Sequence, residues 1–298
     1  MNENKTNINW YPGHMAKTKR QIVEDLKLID VVVEILDARI PKSSVNPDIA
    51  QYTKNKLKVV VLNKSDLSND KENNKWINYY KENNIHAVLV DSNSGKGIEN
   101  VIREIQKVYS EDEEKYAQKG RKGKSIRVMV LGIPNVGKSS FINRITKKTS
   151  AQVGNKPGVT RQKQWVRVNE NIELLDTPGV LWPKFEDENV ALNLAYTGTI
   201  KDDILDKVEI AFQLLKYLLE NEMDVIIERY KISKEEIETE LNNEDRMENE
   251  NIYEIMCMIG RKRGAIVSGG NVDEAKVANI ILEDFRSGKM RKNNIRKS

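Results

Sequence analysis

The segment Gly132-Ile-Pro-Asn-Val-Gly-Lys-Ser139 constrains the fold of this chain more than any other feature. It directly follows a β-branched run, Ile126–Leu131, and a helical pattern continues through Ser140–Thr146. Glycines at this spacing let the backbone wrap around an anion, with its N–H groups and the helix N-terminus facing the negative charge. A strand, such a loop and a helix in succession are typical of a P-loop. The sequence therefore predicts an α/β domain that binds a polyphosphate.

Short apolar runs alternate with helical stretches as far as residue 180. Their β-branched composition predicts strands at Val31–Leu36, Val59–Leu62, Ala87–Val90, Ile126–Leu131, Gln164–Val168 and Ile172–Leu175. Helices are predicted between some of them, at Lys71–Asn83 and Ile98–Tyr109. This alternation favours a mostly parallel sheet with helices on both faces. The polar stretch Ser110–Ser125 is predicted to be an exposed connector.

The strand pattern stops after Trp182. Helices are predicted at Asn189–Tyr196, Ile204–Glu220, Ile237–Asn242, Ile252–Ile259 and Val272–Phe285. Their expected end signals are a capping box, Ser233 with Glu236, and the C-terminal glycines Gly198, Gly264 and Gly288. We therefore expect two domains. Residues 1–183 would hold an N-terminal segment and the nucleotide-binding domain, and residues 184–298 a small all-α domain with a basic tail.

The composition excludes several classes of protein. Apolar residues make up 39% of the chain, and no apolar run approaches the roughly 18 residues of a membrane span. The amino-terminal residues lack the apolar core of a secretory signal. The single cysteine, Cys257, cannot form an internal disulfide. We expect a cytoplasmic protein with no membrane partner.

Charge is divided unevenly along the chain, although the formal net charge is only +4. Lys and Arg outnumber Asp and Glu in residues 1–180, whereas acidic residues are in excess in 181–298. Within this acidic part, Arg261–Arg263 and the tail Arg286–Lys297 are basic. Basic patches of this kind suggest a nucleic-acid partner. A solvated surface with a frayed tail would give the same pattern.

Residues in and after the P-loop are candidates for binding phosphate and metal. Lys138 would place its charge on the β- and γ-phosphates, as a catalytic residue, and the Ser139 hydroxyl would ligate Mg²⁺. At the end of the last predicted strand, in Asp176-Thr-Pro-Gly179, the carboxylate of Asp176 would join the Mg²⁺ shell. The N–H group of Gly179 could reach a γ-phosphate. Thr160, in Pro157-Gly-Val-Thr160, offers a second hydroxyl ligand for Mg²⁺.

The tetrad Asn63-Lys-Ser-Asp66, which follows a predicted strand, is the candidate for reading the base. A carboxylate at Asp66 suits the two N–H donors of guanine, and adenine lacks them at that edge. Asn63 could bond the O6/N7 side, and the stem of Lys64 could lie along the base. Asp91-Ser-Asn-Ser94 could brace the base with backbone N–H groups. The predicted GTP-binding residues are Asn63, Lys64, Asp66, Asp91, Ser92, Asn135, Val136, Gly137, Lys138, Ser139, Ser140, Thr160 and Gly179.

The order of these motifs is unusual, because base-reading elements normally follow the phosphate loop. Here the order is NKSD, DSNSG, GIPNVGKS, PGVT and DTPG, so the chain resembles the circularly permuted GTPases. Trp10–Lys17 and Asp37–Pro41 resemble the ribosome biogenesis GTPase A branch of that family. The resemblance covers nearly the whole chain and implies a circularly permuted P-loop GTPase fold. It also implies late assembly of the large ribosomal subunit, with ribosomal RNA bound by the helical domain and particle-stimulated hydrolysis. No DNA partner is expected.

The catalytic machinery departs from that of Ras-like enzymes. Val180 stands where they carry a water-orienting glutamine, and it has no hydrogen-bonding group. The resemblance points to His14 as catalytic, and a histidine suits this role because it titrates near neutral pH. Asn135 could hold a K⁺ ion against the phosphates, and the resemblance implies potassium dependence.

Other classes of protein that carry a P-loop or bind nucleic acid are alternatives for this sequence. An ATP-using P-loop enzyme is disfavoured by Asp66. A nucleic-acid-binding protein with a vestigial loop is disfavoured by the intact Lys138, Ser139 and Asp176. The remaining alternative is an RNA-binding protein that uses GTP only as a conformational switch in another RNA- or ribosome-associated process.

Overall fold

A computed structural model describes residues 14–111, 125–150, 165–182, 185, 187–200 and 205–290. These residues form two compact units, one ending at Ala191 and the other beginning at Leu192. The first contains a sheet with helices packed on it, and the second is helical. Among the described helices, none has both the length and the apolar character that crossing a membrane requires.

One six-stranded sheet forms the centre of the first unit. Its strands are β1 (Val31–Asp37), β2 (Leu57–Asn63), β3 (His86–Leu89), β4 (Ile126–Leu131), β5 (Trp165–Asn169) and β6 (Ile172–Asp176). In space they follow the order β3-β2-β1-β4-β6-β5, and all neighbours are parallel except β5 and β6. The predicted strands and the mostly parallel sheet are thus confirmed, with small shifts at the strand ends. Gln164, where the fifth strand is predicted to begin, lies outside the described residues.

The strand order places a reversal of direction next to β1. From β1 the chain proceeds outward to β2 and β3, and then returns to the other side of β1 to form β4. In open α/β sheets, ligands bind beyond the carboxyl ends of the strands at such a reversal. The segments that follow β2, β3, β4 and β6 are those that the sequence assigns to the nucleotide, and Asp37–Pro41, which carries part of the family resemblance, follows β1.

The central strands are apolar because both faces of the sheet are covered. Every residue of β1 is buried, including those that alternate between the two faces. On one face, Ile22 and Leu26 pack in a cluster with Val32 and Met129. The helices of this unit are α1 (His14–Leu26), α2 (Pro47–Tyr52), α3 (Asp70–Glu82), α4 (Ile98–Glu111) and α5 (Lys138–Ser150), and α6 (Glu188–Tyr196) follows across the boundary at Ala191.

The second unit packs its helices around an apolar core, as predicted. It contains α7 (Lys207–Asn221), α8 (Met223–Tyr230), α9 (Lys234–Leu241), α10 (Glu248–Lys262) and α11 (Glu274–Arg286). Helix α7 packs against both α10 and α11. The predicted capping box of Ser233 and Glu236 is present at the start of α9. The predicted C-terminal glycines all have positive φ, with 73° at Gly198, 65° at Gly264 and 73° at Gly288.

Among the helices in the described ranges, α1, α2 and α8 are absent from the sequence prediction. Helix α1 is mostly polar, and the apolar residues Ile22 and Leu26 that it buries come only near its end. Helix α2 has six residues, too few for a periodic pattern. Helix α8 follows α7 with only Glu222 between them, so the two merge in a periodicity analysis. The last predicted helix also begins later than expected, at Glu274, because the Asp273 side chain caps it there.

Candidate nucleotide-binding site

The P-loop connects β4 to α5 and holds a buried lysine. The Lys138 ammonium group donates a hydrogen bond to the Ile133 carbonyl at 3.1 Å. Burial lowers the pKa of Lys138 to about 8, although the nearby negative charge of Asp176 opposes part of this shift. A cation that has lost its hydration gains more from an anionic partner than an exposed one does. The loop therefore places an under-compensated positive charge where a phosphate would bind.

Asn63, at the end of β2, ties the P-loop to the segment that follows β3. Its amide nitrogen donates to the Val136 carbonyl at 2.8 Å. Its amide oxygen accepts from the Ser92 hydroxyl at 2.7 Å and from the Ser92 backbone N–H at 3.2 Å. Gly137 is required beside it, because a Cβ there would lie 2.3 Å from the Asn63 nitrogen. Both polar atoms of Asn63 thus bind protein groups, and because the amide nitrogen carries a second hydrogen, the contact with the base stays a prediction.

Lys64 is held by the carboxylate of Asp37 at the end of β1, which it shares with Arg39. Its ammonium group lies 3.0 Å from Asp37 Oδ2, and Arg39 Nη2 lies 2.7 Å from the same oxygen. Although burial alone would raise the pKa of Asp37, the positive charges of Arg39 and Lys64 hold it well below its usual range. Burial lowers the pKa of Lys64, and Asp37 and Asp66 oppose this effect. The Asp37–Pro41 segment therefore positions the lysine of the base-reading tetrad.

The segment after β3 forms a compact turn. A side chain of α5 also contacts this turn. The Asp91 carboxylate accepts hydrogen bonds from the backbone N–H groups of Asn93, at 2.8 Å, and Ser94, at 3.2 Å. Burial raises the pKa of Asp91, but the hydrogen bonds from Ser94 and Asn93 outweigh it and leave the pKa lowered. Arg144 of α5 donates to the Ser92 carbonyl at 3.2 Å. Sequence reasoning missed Arg144, because nothing in its neighbourhood marks a partner 52 residues away.

The Asp176–Gly179 segment lies against the P-loop. Thr177 Oγ1 donates to the Val130 carbonyl at 2.5 Å, which secures the segment to β4. A Cβ on Gly179 would lie 2.6 Å from Lys138 Nζ and 2.9 Å from the Pro134 nitrogen, so only glycine allows this approach. The Asp176 side chain is exposed at the end of β6. The phosphate-binding candidates are thus brought together at one edge of the sheet.

Oxygen ligands suited to Mg²⁺ are present at this edge. The Ser139 side chain is exposed in the first turn of α5. The Asp176 carboxylate is exposed as well, and its charge raises the pKa of Lys138 against the larger effect of burial. A hydroxyl and a carboxylate are the hard donors that Mg²⁺ prefers. Thr160, the third predicted ligand, lies outside the described residues. Asn135, the candidate for K⁺, is exposed in the P-loop with a left-handed φ of 60°.

Val180 and His14 are the residues that the sequence connects with the attacking water, and the structure describes the side chain of Val180. Val180 is buried with 1% of its surface exposed, in the apolar cluster that contains Ile22 and Leu26 of α1. An apolar residue here completes the core and cannot orient a water molecule. His14 is the first residue of α1, and its side chain lies outside the described part of the chain.

Comparison with known proteins identifies the family. Residues 127–255 match the family described as 50S ribosome-binding GTPase, and residues 11–186 match the RsgA GTPase family. Ribosome biogenesis GTPase A of Priestia megaterium is 43% identical over 284 residues, which are 95% of this chain and 94% of that protein. The protein of the same name from Bacillus cereus is 42% identical, over 96% of this chain and 92% of its own length.

A solved structure shares the fold. GNP-bound YlqF from T. maritima has a TM-score of 0.63 over 94% of this chain and 97% of its own, at 23% identity. The edge described above, with its P-loop, NKSD and DTPG segments, is that of an enzyme that binds and hydrolyses GTP. The near-complete match to the curated relatives shows that this chain belongs to the ribosome biogenesis GTPase A family of circularly permuted GTPases.

Proposed function

We propose that this GTPase is a cytoplasmic assembly factor for late maturation of the large ribosomal subunit. The observation that carries the proposal is that the relatives named ribosome biogenesis GTPase A match the chain through both units, and not only through the nucleotide site. The family described as 50S ribosome-binding GTPase, whose match extends to residue 255, supports it as well. Residues 184–298 would bind ribosomal RNA, and residues 1–183 would bind and hydrolyse GTP.

At the nucleotide, Lys138 and the P-loop residues Val136, Gly137 and Ser140 would contact the phosphates. The Asp66 carboxylate would read guanine, with the stem of Lys64 along the base, since Asp37 holds that side chain. Mg²⁺, which GTPases generally use, would be held by Ser139, Thr160 and Asp176, and K⁺ by Asn135. The metal would supply positive charge to the phosphate oxygens. The N–H group of Gly179 would contact the γ-phosphate, because that residue lies directly against the P-loop.

The attacking water would be oriented by His14. Val180 is buried in the core, so the position after Gly179 cannot supply this group. Helix α1 spans His14–Leu26 and packs Ile22 and Leu26 in the same cluster as Val180, so a histidine at its start would have to approach the γ-phosphate from this side of the unit. Particle binding would complete the placement of the side chain and so stimulate hydrolysis.

The side chains of Arg261 and Arg263, part of the proposed RNA contact, also make contacts within the helical unit. Arg261 pairs with Glu254 at 2.8 Å, and Arg263 lies 3.6 Å from the buried Asp284 and stacks over the Tyr230 ring. Arg263 is thus engaged within the helical unit, whereas the Arg261 side chain remains 55% exposed beside its partner. RNA binding would use the exposed Arg261 and Lys262 and the basic tail.

Sedimentation with large-subunit precursor particles tests the proposal. The tagged protein should move with the particles when a non-hydrolysable GTP analogue is present and be released with GDP, at one fixed salt concentration. A coupling of roughly 1–3 kcal/mol, or about 5- to 150-fold in affinity, would be ordinary for such a switch. Equal binding in the two nucleotide states, or no binding in either, would contradict it.

A second function is favoured by Val180, whose apolar side chain leaves the position after Gly179 without a water-orienting group. The protein would then be an RNA-binding protein that uses GTP only as a conformational switch in another RNA- or ribosome-associated process. Hydrolysis that particles do not accelerate, together with nucleotide-dependent binding to a different RNA, would favour this alternative.

A further inference from the structure

Asn46 connects two segments that lie far apart in the sequence. Its side chain is completely buried, with 0% of its surface exposed. The amide oxygen accepts from the backbone N–H groups of Asp48, at 2.9 Å, and Ile49, at 3.4 Å, and so caps helix α2. The amide nitrogen donates to the Val180 carbonyl at 2.7 Å. Val180 is 134 residues further along the chain and directly follows the Asp176–Gly179 segment.

Helix capping alone does not require this residue. A cap needs only an acceptor, which Ser, Thr or Asp supplies as well as Asn does. An amide carries its acceptor and its donor on separate atoms, so it can accept from the start of a helix and donate to a carbonyl on its other side, whereas a hydroxyl must do both through one oxygen. At the start of α3, Asn69 caps with the same oxygen pattern, toward Lys71 and Glu72, but it is exposed. The buried bond to Val180 therefore distinguishes Asn46 from an ordinary cap.

The Val180 carbonyl belongs to a segment whose position matters for the phosphates. Gly179 lies so close to the P-loop that a Cβ would meet Lys138 and the Pro134 nitrogen. One residue later, the backbone N–H of Val180 donates to the Gly132 carbonyl at 3.4 Å, and its carbonyl is held by Asn46. The backbone after Gly179 is thus secured on both sides, by the P-loop and by the cap of α2.

The same contacts extend to helix α1. Lys19 of α1 pairs with Asp48 in the first turn of α2. The Val180 side chain packs in one cluster with Ile22 and Leu26 of α1 and with Ile49 of α2. Helix α1 begins at His14, so the histidine's helix, α2 and the backbone after Gly179 meet around Asn46.

We propose that Asn46 is a positioning residue for GTP hydrolysis, which holds the backbone after Gly179 in register with the P-loop and with helix α1. Groups that are held in place before the reaction stabilise developing charge without reorganising. Loss of the Asn46 donor would let the Gly179 N–H move away from the γ-phosphate. GDP has no γ-phosphate, so its binding would be nearly unaffected. Asn46 has this role only if Gly179 contacts the γ-phosphate, as proposed for it.

The test is Asn46→Asp in the full-length protein, because aspartate keeps the cap and replaces the donor with an acceptor that faces the Val180 carbonyl. Affinities for a non-hydrolysable GTP analogue and for GDP are measured by calorimetry, and the hydrolysis rate is measured in single turnovers at saturating GTP. We expect the preference for the analogue over GDP to fall roughly tenfold, since an unsatisfied buried polar group carries a cost of that order. The single-turnover rate should fall by a similar factor.

Two further variants make the result interpretable. Asn69→Asp makes the same substitution at an exposed cap and should leave both quantities unchanged. Asn46→Ser keeps a cap but is too short to reach Val180, and it introduces no repulsion in case the aspartate variant fails to fold. It should reproduce the loss of preference in weaker form.

The outcomes separate the role of Asn46 from that of Gly179. If both Asn46 variants melt at lower temperature but keep the parent's analogue-to-GDP ratio and single-turnover rate, Asn46 is a helix cap only, and the proposal is overturned. Gly179→Ala should abolish the preference for the analogue. If it does so while the Asn46 variants do not, the γ-phosphate contact stands and the positioning role fails.

Discussion

Replacing Asn63 with alanine should weaken the whole nucleotide site without changing which base it prefers. The substitution removes three buried hydrogen bonds, one to the Val136 carbonyl and two from Ser92. At about 1 kcal/mol net for each, the total loss is about 3 kcal/mol, or roughly 150-fold if all of it appeared in binding. The bonds are present before nucleotide binds, so part of the loss will appear as a lower free energy of unfolding. The two losses together should come to about 3 kcal/mol.

The assay combines chemical denaturation with calorimetry of GDP and of 7-deaza-GDP. If Asn63 only joins the two loops, the effects of Asn63→Ala and of removing N7 from the base should add, because neither group contacts the other. If Asn63 bonds N7, the base change should matter in the parent protein and have no effect in the variant. Such a coupling between variant and base would refute the positioning role.

A matched control comes from the helical unit. Asn251 is a buried amide that donates to the carbonyl groups of Leu241, at 3.3 Å, and Asn243, at 3.0 Å. Asn251→Ala should lower the free energy of unfolding while the affinity for GDP stays within a few-fold of the parent. An equal loss of GDP affinity in this variant would mean that destabilisation alone explains the effect of Asn63→Ala.

Three other substitutions probe the base, the water and the phosphates. Asp66→Asn should weaken guanine binding and favour xanthine, because the amide presents a donor to a donor; calorimetry with unchanged GTP affinity would contradict base reading by Asp66. His14→Ala should abolish particle-stimulated hydrolysis and leave GTP affinity within a few-fold, and normal turnover on particles would mean that another group orients the water. Since burial lowers the pKa of Lys138 to about 8, the unliganded lysine loses its proton above that pH and binding must restore it. GDP affinity should therefore fall about tenfold from pH 7 to pH 9 in the parent and not in Lys138→Met, and a flat parent profile would contradict the assignment.

The sequence by itself determines the class of fold and the identity of the site. The strands, the P-loop and the order of the motifs are local patterns, and a local pattern is readable because it depends on neighbours a few residues away. The glycines of the P-loop and of the DTPG segment are required by close backbone approach, which the motif spacing already implies. The same holds for the capping box of α9 and for the glycines that end the helices.

Only the tertiary structure decides what the polar side chains around that site do. The motif predicts that Asn63 contacts the base, and only the tertiary structure shows that its amide also joins Val136 of the P-loop to Ser92 after β3. Asp37 lies beside Lys64 because β1 pairs with β2 in a register that sets Asp37 opposite Asn63. Asn46 reaches Val180 across 134 residues. Hydrogen bonds of this kind depend on strand register and on crossover connections, and neither is encoded in the local pattern of residues.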